Sequence, residues 1–281
     1  MMRACEPEVQ DAVFAAIEPL LDRPVAEHPL GCHRPRVSDR LCFRGILIRL
    51  ITGAAWTTIE MLLDYQVSDT TLRARRDEWI NAGVFDALAD EALTAYERLI
   101  GLDLGDVAID GSNHNAPCGG EHTGYNPADR GKQGWKWLIA VDANGIPLTW
   151  TTDGANRNDY ALLEPTLQQL QAAELTTSIG TLHLDRGFGY TSTPALVATY
   201  GINNLDVIPR RRPGQGPIPL VGLGKRWIVE SANSWLSNYG QLRRNTDRQT
   251  RHRHAAICLA TTILITARLI DWRNTWTRPI R

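Results

Sequence analysis

Two aspartates end short apolar runs that are typical of buried strands. Asp110 follows residues 107–109, and Asp185 follows residues 182–184. In a sheet flanked by helices, side chains at the ends of neighbouring strands converge on the crevice where ligands bind. The two carboxylates are therefore expected to lie close together, where like charges either share a proton or hold a divalent cation.

A third acid, Glu230, lies at the start of an amphipathic helical pattern. Three carboxylates form a hard-oxygen ligand set that suits Mg²⁺ or Mn²⁺ and needs no nitrogen or sulfur ligand. Two such ions, about 3.5–4 Å apart, activate an attacking water or hydroxyl and stabilise the leaving oxygen in phosphodiester chemistry. Any one of these acids alone is more often a surface charge or a helix cap, so the prediction depends on the combination.

The predicted elements around these acids change type near residue 106. Residues 106–110 predict a strand, and the Gly/Asn/Pro-rich stretch 111–134 predicts a long loop. Strands over 135–141 and 146–151 are expected to be joined by a hairpin turn containing Asn-Gly. The chain then continues with a predicted helix 163–173 with Pro165 in its first turn, strand 181–185, helix 194–200, strand 204–208, loop 209–224, and helices 227–239 and 255–272. This order indicates a mixed α/β sheet covered by helices.

Residues 1–100 predict helices, because apolar positions recur three and four residues apart. One helix is expected to end at Gly53, a second covers residues 56–65, and Ser68 is the predicted N-cap of a third over residues 69–81. The third helix carries Arg73, Arg75 and Arg76. The pair fits a helix-turn-helix that lays its second helix in a DNA groove, and it fits an ordinary helical hairpin as well.

Composition indicates a soluble intracellular protein. The chain has 281 residues, of which 43% are hydrophobic and 22% charged, as in ordinary globular proteins. It has no signal-peptide pattern, and the nearly uncharged run 255–267 is too short to span a bilayer and predicts a buried core helix. The five cysteines are scattered, without a C-x-x-C pair, which favours a reducing cytoplasm and argues against a disulfide framework or a cysteine zinc site. The His252-x-His254 pair lacks partners at zinc spacing and predicts no metal site.

The net charge of −1 conceals a strong asymmetry. Residues 1–200 hold 16 Lys+Arg against 27 Asp+Glu, a balance of −11, whereas residues 201–281 hold 14 against 4, a balance of +10. Such polarity indicates a polyanionic partner for the C-terminal part, although a solvated basic tail gives the same count. Aromatic residues interleave the basic ones, at Trp227, Trp235 and Tyr239, which favours a nucleic acid.

Four short motifs follow one another along the chain: Ile-Asp-Gly-Ser at 109–112, Gly-Ala-Asn-Arg-Asn-Asp at 154–159, Leu-Asp-Arg-Gly-Phe at 184–188 and Arg-Trp-Ile-Val-Glu at 226–230. With these motifs, and with 185−110=75 and 230−185=45 residues between the acids, the sequence resembles DDE transposases of bacterial insertion sequences. The type is insertion-sequence-five, within the wider insertion-sequence-four superfamily. The resemblance covers the chain from about residue 40 to the C-terminus.

The resemblance implies a ribonuclease-H-like mixed sheet flanked by helices and preceded by an all-α N-terminal domain. The domains expected are a helical one over residues 1–102 and a catalytic one over residues 103–281. Asp110, Asp185 and Glu230 are implied as ligands of two Mg²⁺ (or Mn²⁺) ions. Members of this family cut at terminal inverted repeats and join the 3′ ends to target DNA.

The partners implied are double-stranded DNA, at transposon ends and target, and a second copy of the chain in the DNA complex. No phosphate-binding loop motif occurs, so no nucleotide cofactor is expected, and no membrane partner is expected either. The location expected is the bacterial cytoplasm, at the nucleoid. The residues expected to contact DNA are Arg73, Arg76, Arg130, Lys132, Lys136, Arg186, Arg226, Arg243 and Arg244.

The sequence departs from the family around the glutamate. Leu223 and Ser237 replace a tyrosine and a lysine of the usual pattern, Ser231 replaces an arginine, and Arg186 stands where a lysine usually follows the second aspartate. These departures concern the residues that contact the DNA ends. They do not concern the three acids. We expect Arg243 and Arg244 to supply the missing charge.

Several nearby residues have two interpretations. His114 either orients a nucleophile or is an ordinary polar residue, and residues 158–159 either support a metal ligand or cap a helix. Tryptophans 135, 137, 227 and 235 either stack on an unpaired base or pack in the core. Two rival functions also stay open at this point, a nuclease on the same fold that does not join DNA, and a DNA-binding protein or inactive transposase remnant.

Overall fold

The computed structural model describes residues 3–21, 35–208 and 227–277. These residues form two compact units, each described by itself below. The first unit comprises the described residues of Met1–Ile100, Asn238–Asn245 and Gln249–Arg281. The second comprises those of Gly101–Ser237 and Thr246–Arg248.

The helices over the described residues are α1 (Pro7–Ile17), α2 (Asp39–Thr52), α3 (Trp56–Leu62), α4 (Asp69–Asn81), α5 (Val84–Leu99), α6 (Tyr160–Ala172), α7 (Thr193–Thr199), α8 (Trp227–Ser237), α9 (Gly240–Arg243) and α10 (Thr250–Thr277). The strands are β1 (Asp106–Asn115), β2 (Gly124–Asn126), β3 (Lys132–Val141), β4 (Pro147–Gly154), β5 (Thr181–Leu184) and β6 (Leu205–Val207).

Local signals set the ends of the helices in the first unit, as predicted. Gly53 ends α2 in the left-handed conformation, with φ 68°. A Cβ at Gly53 would lie 2.8 Å from the backbone of Gly240, so this position excludes larger residues on two grounds. Ser68 Oγ accepts a hydrogen bond of 3.2 Å from the Thr71 amide and caps α4.

The C-terminal helix α10 packs against α5 and α1 and belongs to the first unit. Its residues 250–276 are long and apolar enough to cross a membrane by length and composition, but 67% of the tested window is buried inside the protein. That burial agrees with the predicted core helix, which is the commoner origin of such a segment. The division predicted at residues 102 and 103 stays a prediction about domains, and it differs from the compact units in placing α10 with the sheet.

The second unit is built on a mixed six-stranded sheet. β3 pairs antiparallel with β1, β2 and β4, and β1 continues the sheet through parallel pairing to β5 and then β6. α6 packs on β3 and β4, and α8 packs on β1 and β3. The predicted fold class, a mixed sheet flanked by helices and preceded by helices, is confirmed.

The loop predicted over residues 111–134 is wrong over much of its length. β1 runs on to Asn115, β2 occupies Gly124–Asn126, and β3 already begins at Lys132. The polar end of β1 pairs with the aromatic half of β3, Ser112 opposite Trp137 and His114 opposite Trp135, so the partner strand supplies the apolar side chains that β1 lacks.

Pro165 also differs from its prediction. α6 begins at Tyr160, so Pro165 lies inside the helix and not in its first turn. Thr166, the next residue, is buried, and its Oγ1 donates 2.8 Å to the Leu162 carbonyl one turn earlier in α6. The hairpin between β3 and β4 turns through Gly145, at φ 77°, as expected from the Asn-Gly pair.

Candidate functional site

The pairing of β1 with β5 places the two aspartates side by side. Ile109 and Leu184 are partners in the parallel register, so Asp110 and Asp185 occupy the next position on adjacent strands. Neighbouring strands lie about 4.8 Å apart, which sets the spacing of the two backbones. Both residues are half-buried. A pair of carboxylates is thereby placed on two neighbouring interior strands of the sheet.

Asp185 begins a turn that orients its carboxylate. Its Oδ1 accepts a hydrogen bond from the Gly187 amide, which caps the short 3₁₀ helix Arg186–Phe188. A Cβ added at Gly187 would lie 2.7 Å from Asp185 Oδ1. Glycine at position 187 therefore allows the carboxylate to stay where the turn places it.

Glu230 approaches the sheet on the first turn of α8. The buried face of α8 includes Val229 and Asn233, and Glu230 itself is exposed. Asn233 Oδ1 accepts a buried hydrogen bond of 2.7 Å from Trp137 Nε1 of β3. This bond fixes the rotation of α8 one turn after Glu230, and so it determines which way the glutamate faces.

The 154–159 motif packs beside the first aspartate. Asp159 Oδ1 accepts 2.7 Å from the buried Lys136 Nζ, which also donates 2.7 Å to the Arg157 carbonyl. A Cβ at Gly111 would lie 3.0 Å from the Asp159 carboxyl carbon, so the residue after Asp110 must be small. Lys136 is therefore held by the protein itself, as part of the frame that surrounds β1.

The same motif reaches the loop after Asp185. Asn158 Nδ2 donates 3.0 Å to the Tyr190 hydroxyl, and its Oδ1 accepts 3.0 Å from the Tyr160 amide at the start of α6. The Tyr160 and Tyr190 rings lie 4.5 Å apart. The N-cap residue of α6 is Asp159, which makes no side-chain cap bond, while Asn158 accepts from the first backbone amide of the helix. Asn158 also links the two loops that border the aspartates.

The residues predicted to contact DNA divide into exposed and buried ones. Arg73, Arg130, Lys132, Arg186, Arg243 and Arg244 are exposed. Lys136 and Arg76 are buried, and Arg226 lies outside the described residues. Arg76 bonds Asp77, its neighbour on α4, through Nε at 2.9 Å, and its guanidinium stacks on Trp56 of α3 and so links the two helices.

The helix-turn-helix hypothesis depends on α3 and α4. Of the three arginines on α4, Arg75 is buried and paired with Asp39, Arg76 is buried as described above, and Arg73 is exposed with an ion pair of 2.7 Å to Asp69. Two of the three are thus structural, and Arg73 alone among them is exposed. The buried positions of Arg75 and Arg76 are explained by an ordinary helical hairpin, the second of the two interpretations of this segment.

His114 lies in an aromatic cluster. Its ring is 3.7 Å from that of Trp137 and 5.4 Å from that of Trp135, and both tryptophans are fully buried. Burial lowers the pKa of His114 to about 3, so the imidazole is neutral at physiological pH. Its position and charge fit core packing, as do those of Trp135 and Trp137, whereas Trp227 is exposed.

The donor set at the sheet edge suits a hard cation, because it consists of carboxylate oxygens. Asp110 and Asp185 are neighbours, and Glu230 comes from a separate helix packed on the same sheet. They are not gathered within 4.8 Å of one another, the spacing that marks one group of metal-type side chains elsewhere in the described chain.

Two protein families match this chain. The family described as "Putative transposase of IS4/5 family" matches residues 9–89, and the family described as "Transposase DDE domain" matches residues 102–265. The second match covers more than half of the chain and includes all three acids. Together, the mixed sheet flanked by helices and this match define a member of the DDE class. The chain belongs to the DDE transposase family of the insertion-sequence-four and -five group, as its motifs predict.

Two relatives come from insertion element IS402 of Burkholderia cepacia. The "Putative transposase for insertion sequence element IS402" is 34% identical over 133 residues, which are 45% of this chain and 60% of that protein. The "Insertion element IS402 uncharacterized 16.2 kDa protein" is 31% identical over 122 residues, which are 43% of this chain and 82% of that protein. The match thus spans less than two thirds of the length of the first relative.

Among solved structures, the chain resembles "Mos1 transposase paired-end complex with left transposon end" and "Crystal structure of a pre-cleavage Mos1 transpososome". Each has a TM-score of 0.28 and 13% identity, over 88% of this chain and 82% of that chain. Similarity at this level says nothing about the geometry of the site or about function.

Proposed function

We propose that this chain cleaves DNA at the terminal inverted repeats of its element and transfers the 3′ ends into target DNA. The observation that carries the proposal is the parallel register of β1 and β5, by which Asp110 and Asp185 follow the last paired residues of the two strands. Glu230 completes a set of three carboxylates from α8. The match to the DDE transposase family over residues 102–265 supports the same reaction.

The chain's own part in the reaction is to hold ligand oxygens in fixed places. Asp110 is held by the sheet, and the Gly187 amide orients the Asp185 carboxylate through one oxygen. Glu230 is set by the bond between Asn233 and Trp137. Two bound Mg²⁺ or Mn²⁺ ions would activate the attacking hydroxyl and stabilise the leaving oxygen. The proposed nucleophiles are a water and then the freed 3′ hydroxyl, without a covalent protein-DNA intermediate.

The proposed DNA contacts are the exposed basic residues. In the sheet unit these are Arg130, Lys132 and Arg186, and in the helical unit Arg73, Arg243 and Arg244. Phosphate contacts of this kind release counterions, so binding should weaken steeply as salt rises. We propose a homodimer in the DNA complex, because two ends must be held together, and a site of action at the bacterial nucleoid without a nucleotide cofactor.

The test uses the purified chain and a labelled duplex that carries the flanks of its own gene. We expect cutting at the element boundary and joined products in Mg²⁺, and neither in EDTA. Glu230→Gln should abolish both, whereas Glu164→Gln, which removes an exposed carboxylate from α6, should leave both unchanged. Cutting without joining would indicate a nuclease, and binding without cutting would indicate an inactive DNA-binding remnant.

A further inference from the structure

Three side chains of metal-ligating type meet between α5 and α10 in the helical unit. Asp86 lies on α5, and His254 and Cys258 lie one turn apart on α10. His254 Nε2 is 2.6 Å from Asp86 Oδ1, and Cys258 Sγ is 3.5 Å from His254 Nε2 and 4.0 Å from Asp86 Oδ1. All three donor atoms lie within 4.8 Å of one another.

The spacing of the donor atoms is close to that of a tetrahedral zinc site. Zn–S bonds of about 2.3 Å and Zn–N bonds of about 2.0–2.1 Å put sulfur and nitrogen about 3.6 Å apart. The observed distance between Cys258 Sγ and His254 Nε2 is 3.5 Å. To reach the oxygen–nitrogen distance of a tetrahedral zinc site, Asp86 Oδ1 would have to move about 0.7 Å away from His254 Nε2. The Asp86 side chain is 58% exposed and has the freedom to do so.

The burial of the three groups suits an ion that enters from solvent. Cys258 is buried, whereas the His254 side chain is 41% exposed. Asp90 lies one turn after Asp86 on α5, close enough that its charge acts on the Cys258 thiol. Solvent water can therefore supply a fourth ligand on the open side.

A catalytic Cys-His-Asp arrangement fits these residues less well. Burial raises the pKa of the Cys258 thiol well above its usual value, and the charges of Asp86 and Asp90 raise it further. The free thiol is therefore a poor nucleophile. A divalent cation bound here would deprotonate the Cys258 thiol by coordinating it. Its charge would also offset the negative charge of the neighbouring carboxylates.

We propose that Asp86, His254 and Cys258 form a zinc site that fastens α10 to α5, separate from the carboxylates of the sheet unit. The His252-x-His254 motif does not predict this site, because the partner of His254 is Cys258, four residues later on the helix. The third ligand comes from 168 residues away, beyond the reach of any local motif. Thiolate and imidazole ligands favour zinc over the hard cations that suit the sheet-edge acids.

The test is titration of the metal-free, full-length chain with Co²⁺, followed by Zn²⁺. We expect one equivalent of Co²⁺ to give a thiolate charge-transfer band in the near ultraviolet, and Zn²⁺ to displace it. Cys258→Ser and His254→Gln should lose the band. Cys42→Ser, which removes another buried free cysteine, should keep it. Asp185→Asn should keep it too, which separates this site from the proposed function.

Zinc should also stabilise the protein. At 100-fold excess over its dissociation constant, Zn²⁺ is expected to raise the Tm of the wild-type chain by roughly 5 °C, and chelation should reverse the shift. If Cys258→Ser does not fold, Asp86→Asn takes its place as the variant that removes a proposed ligand, because the change is at an exposed position. A wild-type chain with reduced cysteines that gives no band and no Tm shift would overturn the proposal. So would a band that survives Cys258→Ser.

Discussion

The hydrogen bond between Trp137 and Asn233 links the position of Glu230 to the stability of the sheet unit. Asn233→Leu keeps the shape of the side chain and removes the acceptor, which leaves a buried indole N–H without its partner. Trp137 is 1% exposed, so no solvent compensates. Leaving such a donor unsatisfied costs about 1–3 kcal/mol. We expect the free energy of unfolding of the variant to fall by that amount.

The same substitution should reduce DNA cleavage by more than the loss of folded protein explains. Asn233 lies one turn after Glu230, so a loosened α8 shifts the glutamate relative to the two aspartates. A displacement of about 1 Å in a catalytic group costs about 100-fold in rate. Cleavage should be measured at a temperature where urea titration shows the variant to be fully folded.

A double-mutant cycle with Trp137→Phe separates the hydrogen bond from changes in packing. Once both polar partners are gone, the penalty for an unpaired group disappears, so the double variant should be less destabilised than the sum of the single variants by about 1–2 kcal/mol. Trp79→Phe, at a fully buried tryptophan of α4 in the helical unit, provides the matched cycle and should be additive. Additivity in the Trp137 cycle would refute the role assigned to this bond.

Three further outcomes follow from the geometry. Gly187→Ala should reduce cleavage at least tenfold with little change in Tm, because its Cβ would lie 2.7 Å from Asp185 Oδ1 and displace the carboxylate; unchanged activity would show that this oxygen is not constrained. Gly53→Ala should destabilise the chain by about 1–3 kcal/mol, read from urea denaturation, because it combines a positive φ with a contact of 2.8 Å to the Gly240 backbone. His114 has a pKa of about 3 in the folded chain against 6.5 in the unfolded chain, so the unfolded state binds the proton first and stability is lost as pH falls below about 6.5. Between pH 7.5 and pH 5 the loss from this group should be about 2 kcal/mol, and His114→Phe should remove that part of the slope.

Much of the architecture follows from local patterns in the sequence. Gly53, Ser68 and the Asn-Gly turn act through their own backbone chemistry, and the structure agrees with each. The strand end before Asp185 is visible as an apolar run that stops at an acid, whereas β1 continues past Asp110 to Asn115, so the strand end predicted there is wrong. Two adjacent positions on parallel strands are then enough to place both carboxylates together.

Local sequence patterns do not predict features that depend on residues distant in the chain. The polar end of β1 becomes a strand because Trp135 and Trp137 lie opposite it. Lys136 is expected from the sequence to contact DNA, yet Asp159 and the Arg157 carbonyl hold it in the interior. Packing with α5 decides where α10 belongs, and no short segment of sequence carries that information.

Metal rescue at Asp185 decides whether this carboxylate holds an ion during DNA cleavage. Asp185→Cys replaces the hard oxygen ligand with a soft thiolate, which binds Mn²⁺ better than Mg²⁺. We expect the variant to be inactive in Mg²⁺ and to recover cleavage and strand transfer in Mn²⁺. Glu164→Cys should be active in both metals. Equal activity of Asp185→Cys in Mg²⁺ and Mn²⁺, at the level of the unaltered chain, would contradict the assignment of Asp185 as a metal ligand.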